Sequence, residues 1–189
     1  MTTVGPISVA NNSDDGYGNT TFSNSALEAY CGKIGSSPYD AWFTFRGITA
    51  TQGSTINSAT LLITPSTGAT GNMNWKCRAV AADNQGPPAD NTAYNGYSWT
   101  TASVTGSVTA GSTAAISIDV AAIMQELVNR AGWAADKVTF QFADNGSPSS
   151  AWCYPAPLES SAQEARLTVD YTAGAGGGTS KNLLLLGVG

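Results

Sequence analysis

Apolar and polar side chains alternate with a period of two along several stretches of the chain. In the stretch 42–46, Phe43 and Phe45 fall on one face, and Thr44 falls on the other. This alternation is the signature of a β-strand whose two faces meet different surroundings. Because the stretches are short and separated by turn-forming residues, they favour antiparallel sheets packed as a sandwich. The other stretches with this period are 58–64, 75–80, 138–142 and 167–171.

One segment has the period of a helix instead. Its apolar residues form a single stripe on a helical projection. Asp119 is suited to cap the start of this helix, and Gly132 to end it in the left-handed conformation. We therefore predict one short amphipathic helix, from about Val120 to Arg130, packed against a sheet. The stripe consists of Val120, Ile123, Met124, Leu127, Val128 and Ala131.

These patterns predict an all-β domain over residues 1–172: an antiparallel β-sandwich with one short helix. Residues 11–40 contain clusters of turn-forming residues. Residues 82–98 are expected to form a long irregular connection, of a length typical of loops that are functional or lie over another surface.

Residues 173–189 differ from the rest of the chain in composition. They begin as a Gly-rich flexible linker and end in an apolar arm. Chain ends are normally polar, so we expect this arm to bind a partner. The partner-binding residues would be Leu183, Leu184, Leu185, Leu186 and Val188.

Composition narrows the range of functions. Of the 189 residues only 11% are charged, and the formal net charge is −5, which argues against a nucleic-acid-binding surface. The chain has no histidine, which excludes triads, general bases and metal sites built on that residue. The longest strongly apolar run, Leu183 to Leu186, is too short to span a membrane. The first residues lack the basic and apolar regions of a signal peptide.

The three cysteines, Cys31, Cys77 and Cys153, do not have the spacing of a zinc site. Two alternatives stay open for them. One is a single disulfide bond, with Cys77 and Cys153 as a pair to consider, and the other is three free buried thiols.

Oxygen-bearing side chains gather between Asn11 and the turn at Gly16. Such side chains are the ligands that calcium prefers, and Asp14 and Asp15 are the candidate metal ligands. The spacing does not match an EF-hand loop. The alternative is a turn in which Asx side chains bond to their own backbone. No other cofactor is expected.

The tryptophans divide into two groups. Trp42, Trp75 and Trp133 lie in or beside regular elements and are expected in the core. The others lie beside loops, where aromatic rings could stack on sugar rings, although sealing the sandwich is the alternative. The candidate glycan-binding residues are Trp99, Trp152, Tyr97 and Tyr154.

No motif selects a set of catalytic residues. There is no Ser-x-x-Lys sequence, no glycine-flanked serine elbow and no phosphate-binding loop. A pair of carboxylates could in principle act on glycosidic bonds, but no motif identifies one. We therefore expect a protein that is not an enzyme.

Four segments carry a resemblance to a known family. They are the turn Asp14–Tyr17, residues 43–48 together with 53–61, residues 119–133, and the segment Ala165–Tyr171. In this order they resemble the DNRLRE-type β-sandwich family, which is similar to carbohydrate-binding modules. Such modules occur in secreted wall proteins and among the virion structural proteins of tailed phages. The resemblance implies a jelly-roll-like sandwich that serves as a non-catalytic module.

A module without a signal peptide, with a Gly-rich linker and an apolar arm, is similar to a phage structural protein. We therefore expect a virion protein made in the host cytoplasm: a capsid decoration (cement) protein that binds the major capsid protein or other virion proteins. Self-association, for instance as a trimer, would bury more low-charge surface. No nucleic acid or membrane is expected as a partner. The alternative is a carbohydrate-binding module, or a tail or fibre accessory protein, that binds host glycans.

Overall fold

The structure is a computed structural model, and it describes residues 1–24, 29–155 and 164–174. Within these ranges the chain forms eleven β-strands and two helices. The strands are β1 (Thr2–Ser8), β2 (Asp15–Asn19), β3 (Cys31–Ile34), β4 (Ser37–Arg46), β5 (Thr55–Ile63), β6 (Met73–Ala79), β7 (Val104–Val108), β8 (Ile116–Asp119), β9 (Lys137–Asp144), β10 (Trp152–Cys153) and β11 (Arg166–Thr172). The helices are α1 (Asn91–Asn95) and α2 (Ala121–Val128).

The strands form two antiparallel sheets. The smaller sheet has the order β1-β11-β5-β8. The larger sheet has the order β10-β3-β4-β9-β6-β7, and β2 pairs with β4 in addition. The chain crosses between the sheets repeatedly, for example from β4 to β5 and from β7 to β8. The prediction of an all-β, sandwich-like fold is confirmed.

The core lies between the inner faces of the two sheets. Each inner face presents the apolar members of its alternating strands, as the period of two predicted. Helix α2 packs on β5 and closes the core with its buried apolar stripe. The largest fully buried side chains of this core are Phe43, Phe45, Leu61, Ile63, Met73, Ile118, Ile123, Met124, Leu127, Phe140 and Phe142.

Helix α2 is shorter than the predicted span from Val120 to Arg130. Val120 occupies the N-terminal capping position without a side-chain bond. Asp119 lies one residue earlier, at the end of β8, and its Oδ1 still accepts a hydrogen bond of 3.0 Å from the N–H of Ala121. Asp119 therefore supports the first turn from just outside it.

The predicted role of Gly132 as a left-handed helix end is wrong. The residue that caps the end of the helix is Asn129, whose φ of −81° is right-handed, and Gly132 has no positive φ. A Cβ atom at Gly132 would lie 2.1 Å from a carboxylate oxygen of Asp83. That carboxylate accepts a 2.6 Å hydrogen bond from Nε of Arg130. Glycine is needed here to let Asp83 approach the chain that follows the helix.

The connection 82–98 covers the outer face of the larger sheet, and it is not irregular throughout because it contains α1. Thr139 of β9 lies beneath it and donates from its hydroxyl to the carbonyls of Gln85 and Gly86, at 3.0 and 3.1 Å. Strands β4 and β9 are consequently buried on both faces. The expectation that this connection lies over another surface is confirmed.

Neither helix in the described residues has the length and apolar character that crossing a bilayer requires.

Candidate functional site

A buried carboxylate lies on the outer face of the larger sheet, beneath α1. Asp40 of β4 is only 6% exposed. Its Oδ2 accepts hydrogen bonds from Nδ2 of Asn19 (3.2 Å), the hydroxyl of Tyr94 (3.2 Å) and Nε2 of Gln141 (3.0 Å). Its Oδ1 accepts one from the backbone N–H of Asp144 at 2.9 Å. Burial raises the pKa of Asp40, and the hydrogen bonds from Asp144, Tyr94 and Asn19 oppose the rise.

Arg78 of β6 connects this buried group to the surface. Its Nε donates to Oε1 of Gln141, and its guanidinium carbon lies 4.7 Å from the centroid of the Trp99 ring. The Trp99 ring also contacts Tyr94 and Tyr97, with centroid separations of 5.7 and 5.9 Å. Desolvation lowers the pKa of Arg78, while Tyr94 and Asp40 oppose that change. We call Arg78, Tyr97 and Trp99 the Trp99 platform.

A second group of rings lies where β10 meets β3. Trp152 and Tyr154 contact each other at 4.4 Å between centroids, and Tyr30 contacts Tyr154 at 4.6 Å. Tyr39 and Tyr17 extend the group through their contacts with Tyr30, at 5.6 and 4.8 Å. All five rings are half-buried. We call these five residues the Trp152 cluster.

The structure therefore divides the four predicted glycan-binding residues between two places. Tyr97 and Trp99 belong to the platform, and Trp152 and Tyr154 belong to the cluster. Among the described residues no ring contact joins the two groups. Arg78 and Asp40 were not predicted as partners of these rings, because they come from different strands and no local pattern links them.

The predicted core tryptophans are buried as expected. Trp42, Trp75 and Trp133 are 0%, 6% and 5% exposed. Trp133 donates from Nε1 to the carbonyl of Ala50 at 2.8 Å.

The candidate calcium ligand Asp14 is engaged by an arginine. It is 0% exposed, and its two oxygens accept hydrogen bonds from Nε (2.7 Å) and Nη2 of Arg46. Asn11 donates to it from Nδ2 at 2.8 Å, and the backbone carbonyl of Asn11 accepts from the backbone N–H of Asp14 at the same distance, as in a β-turn. Nowhere in residues 1–24, 29–155 and 164–174 do three or more acidic or cysteine side chains gather as a metal site would require. Calcium binding at Asp14 and Asp15 stays a prediction. The Arg46 guanidinium makes it less favourable, because it already supplies the positive charge that balances Asp14.

The three cysteines are free and buried, which is the second of the two alternatives. Cys77 lies on β6 opposite Phe142 and Val104. Cys153 on β10 lies directly opposite Cys31 on β3. Burial raises the pKa of each thiol, that of Cys153 to about 12.

Strand β7, at one edge of the larger sheet, and strand β8 up to Ile118, at one edge of the smaller sheet, carry no charge. From Asn91 through Ile118 the sequence contains no charged residue. In the described part of the chain β7 pairs only with β6, and β8 pairs only with β5, so each has one open side. Edge strand β1 is less regular than β7 and β8. Its pairing with β11 is interrupted between Val4 and Ile7, where Pro6 has no N–H to donate. We call the open side of β7 and β8 the uncharged edge.

The predicted partner-binding residues, Leu183 to Leu186 and Val188, lie outside the described residues.

No protein-family model matches the chain, and no curated protein matches it. The resemblance to the DNRLRE-type family therefore stays a prediction. The fold and the sites define an all-β sandwich-like protein with two separate aromatic groups and one uncharged edge.

Proposed function

We propose that this protein is a non-catalytic structural protein of a tailed-phage virion, and that it decorates the head by docking on capsid subunits. The observation that supports this proposal is the uncharged edge. Open edge strands present unpaired N–H and C=O groups, and proteins usually protect them with charged residues, proline or bulges. Strand β7 contains neither a charged residue nor a proline, since its sequence is Val-Thr-Gly-Ser-Val.

In this proposal a strand of the capsid protein extends the larger sheet at β7. Main-chain hydrogen bonds supply affinity in such strand addition, and the flanking side chains supply specificity. The exposed hydroxyls of Thr105 and Ser107 border the docking strand. The three free thiols accord with synthesis in a host cytoplasm, where disulfide bonds are rare.

The apolar arm supplies a second contact. A Gly-rich linker samples many positions, so Leu183 to Leu186 and Val188 can reach a groove on the same or a neighbouring subunit. Two weak contacts joined by a linker bind more strongly than either alone, because the second forms at a high effective concentration.

Occupancy of purified heads that lack this protein tests the proposal. We expect the double substitution Thr105→Lys and Ser107→Lys to reduce occupancy at least about tenfold, because charged side chains at a strand edge oppose strand addition. The matched control is Thr2→Lys on the other edge strand, β1, which should bind as the unmodified protein does. Both variants are first shown to be folded by circular dichroism.

Removal of residues 175–189 tests the arm separately. We expect the truncated protein to retain its fold and to lose most of its head occupancy. Full occupancy by both the edge variant and the truncated protein would reject head decoration by these surfaces.

Self-association is part of the same proposal. Copies arranged around a symmetry axis of the head, for instance as a trimer, would share the low-charge surface. Sedimentation equilibrium of the purified protein measures the oligomeric state directly, and a monomer at all concentrations would remove this part.

A second candidate function is binding of host glycans, as a carbohydrate-binding module or a tail or fibre accessory protein. The Trp99 platform favours it, because a half-buried indole with a guanidinium over one of its faces combines an aromatic ring with hydrogen-bond donors for hydroxyl groups. A glycan array probed with full-length protein should then give a signal that survives removal of residues 175–189.

Alanine variants separate the two aromatic groups. Glycan binding at the platform should weaken at least about tenfold in Trp99→Ala and stay unchanged in Trp152→Ala, since stacking on an aromatic ring is worth roughly 1–3 kcal/mol in comparable contacts. Absence of any array signal would reject this second function.

A further inference from the structure

We propose that Cys31 and Cys153 form an intramolecular disulfide bond when the protein meets an oxidising environment. The inference is independent of the proposed function. It rests on the register of β10 and β3, which places these two residues directly opposite each other in an antiparallel ladder.

The ladder geometry suits a disulfide bond. Directly opposed residues of antiparallel strands have Cα atoms about 4.5 to 5.5 Å apart, and disulfide-bonded cysteines have Cα atoms roughly 4.4 to 6.8 Å apart. Opposed residues also direct their side chains to the same face of the sheet. Both side chains belong to the core cluster between the sheets, in agreement with this arrangement.

Cys77 provides a control within the same molecule. It is also fully buried and free, and burial raises its pKa as well. Its ladder neighbours are Phe142 and Val104, so neither of its cross-strand positions holds a second cysteine. A reaction governed by register therefore consumes Cys31 and Cys153 and leaves Cys77 as a thiol.

Burial keeps the pair reduced until β10 opens. Thiolates, not thiols, attack disulfides, and burial raises the pKa of both cysteines. Strand β10 has only two residues, and it lies at the end of its sheet with β3 as its partner. Short edge elements open locally at a lower free-energy cost than core strands, so opening of β10 exposes Cys153 first.

The reaction balances with oxidised glutathione as the oxidant. The Cys153 thiolate attacks one sulfur of oxidised glutathione and forms a mixed disulfide with that glutathione. The S–S bond of oxidised glutathione breaks, and the other glutathione leaves as a thiolate. When β10 closes, the Cys31 thiolate attacks the Cys153 sulfur and releases the second glutathione. Two protein thiols are oxidised, one glutathione disulfide is reduced, and the two protons end on the two glutathione thiols.

The bond would fix the Trp152 cluster in place. Trp152 and Tyr154 flank Cys153 in the chain, and Tyr30 precedes Cys31. Oxidation thus ties together the two segments that carry these rings.

Peptide mapping tests the inference. Full-length protein is incubated with oxidised glutathione at about pH 8.5, near the ordinary thiol pKa. The remaining thiols are then alkylated in denaturant. The tryptic peptides are analysed without reduction. Trypsin cleaves after Lys33, Lys76, Arg78, Lys137 and Arg166, so each cysteine falls in a different peptide. We expect peptide 1–33 linked to peptide 138–166, with Cys77 alkylated.

Thermal unfolding of single-cysteine variants gives a second measurement. Oxidation should raise Tm by about 5 °C or more in the unmodified protein and in Cys77→Ala, because the bond closes a long loop of the unfolded chain. It should leave Tm unchanged in Cys31→Ala and Cys153→Ala. Three alkylated thiols after incubation, a bond that involves Cys77, or a mixed disulfide that persists on Cys153 would each overturn the inference.

Discussion

Three glycines in two strands, β2 and β7, make room for aromatic rings. A Cβ atom at Gly18 would lie 2.5 Å from the Tyr94 ring, and one at Gly106 would lie 2.3 Å from the Trp75 ring. A Cβ atom at Gly16 would lie 2.1 Å from the carbonyl oxygen of Ser23 and 2.8 Å from the Trp42 ring. Such distances are shorter than van der Waals contact, so only glycine permits these rings to lie flat on the backbone.

Substitution of Gly18 by alanine tests this relation. The added methyl group has to displace the Tyr94 ring, and we expect a loss of about 1–3 kcal/mol in the free energy of unfolding. Urea denaturation measures it. Gly86→Ala is the control, because the nearest atom to its Cβ is Cδ of Lys137 at 3.8 Å, and we expect a change below about 0.5 kcal/mol.

The raised pKa of Asp40 predicts that the stability of the protein depends on pH. Since the folded protein holds this proton more tightly than the unfolded chain, the contribution to stability is fully present below the ordinary value of 3.8 and is lost as the pH rises through the raised pKa.

The stability difference between the unmodified protein and Asp40→Asn isolates this effect. We expect the unmodified protein to lose stability relative to the variant as the pH rises from about 3 to about 7, because only it carries a titrating carboxyl here. Urea denaturation at several pH values measures the difference. A difference that is the same at every pH would contradict the assignment.

At the scale of elements, the glycine-containing strand β2 shows how packing overrides local preference. Its sequence, Asp-Gly-Tyr-Gly-Asn, lies in the region where the sequence analysis found turn-forming residues. It nevertheless pairs with β4 over its whole length. Cross-strand pairing and the rings that lie on Gly16 and Gly18 supply the stability that intrinsic propensity does not.

Helix α1 depends on its capping residue. Oδ1 of Asp90 accepts a hydrogen bond of 2.8 Å from the N–H of Ala93, and a five-residue helix has few other bonds. We expect Asp90→Ala to reduce the free energy of unfolding by about 1 kcal/mol. Hydrogen exchange at the amides of Tyr94 and Gly96 should accelerate at the same time. Thr92→Ala, an exposed position in the same helix, should leave both measurements nearly unchanged.

At the scale of the whole molecule, the low content of charge predicts how docking responds to salt. Only 11% of residues are charged, and the uncharged edge has none between Asn91 and Ile118. Docking through this edge should therefore depend on backbone hydrogen bonds rather than on ion pairs.

We expect head occupancy to change less than about threefold between roughly 0.05 and 0.5 M salt, a range over which screening suppresses attraction between exposed charges. Titration of heads with the protein at each salt concentration measures this. A steep fall in occupancy with salt would show that charged residues elsewhere on the surface carry the contact.

The sequence by itself determined the class of fold and most of the core. The stretches with a period of two lie in β4, β5, β6, β9 and β11. Four residues of the helical stripe lie buried in α2, namely Ile123, Met124, Leu127 and Val128, whereas Val120 precedes the helix and Ala131 lies exposed beyond its end. These predictions hold because burial of one face leaves a local, periodic record in the sequence.

Tertiary structure decided what the polar and aromatic residues do. The pair of Asp14 with Arg46, the separation of Trp99 from Trp152, and the opposition of Cys31 and Cys153 all join residues that are distant in sequence. Such contacts depend on strand order and register, which are set by the assembly of both sheets and leave no local pattern to read.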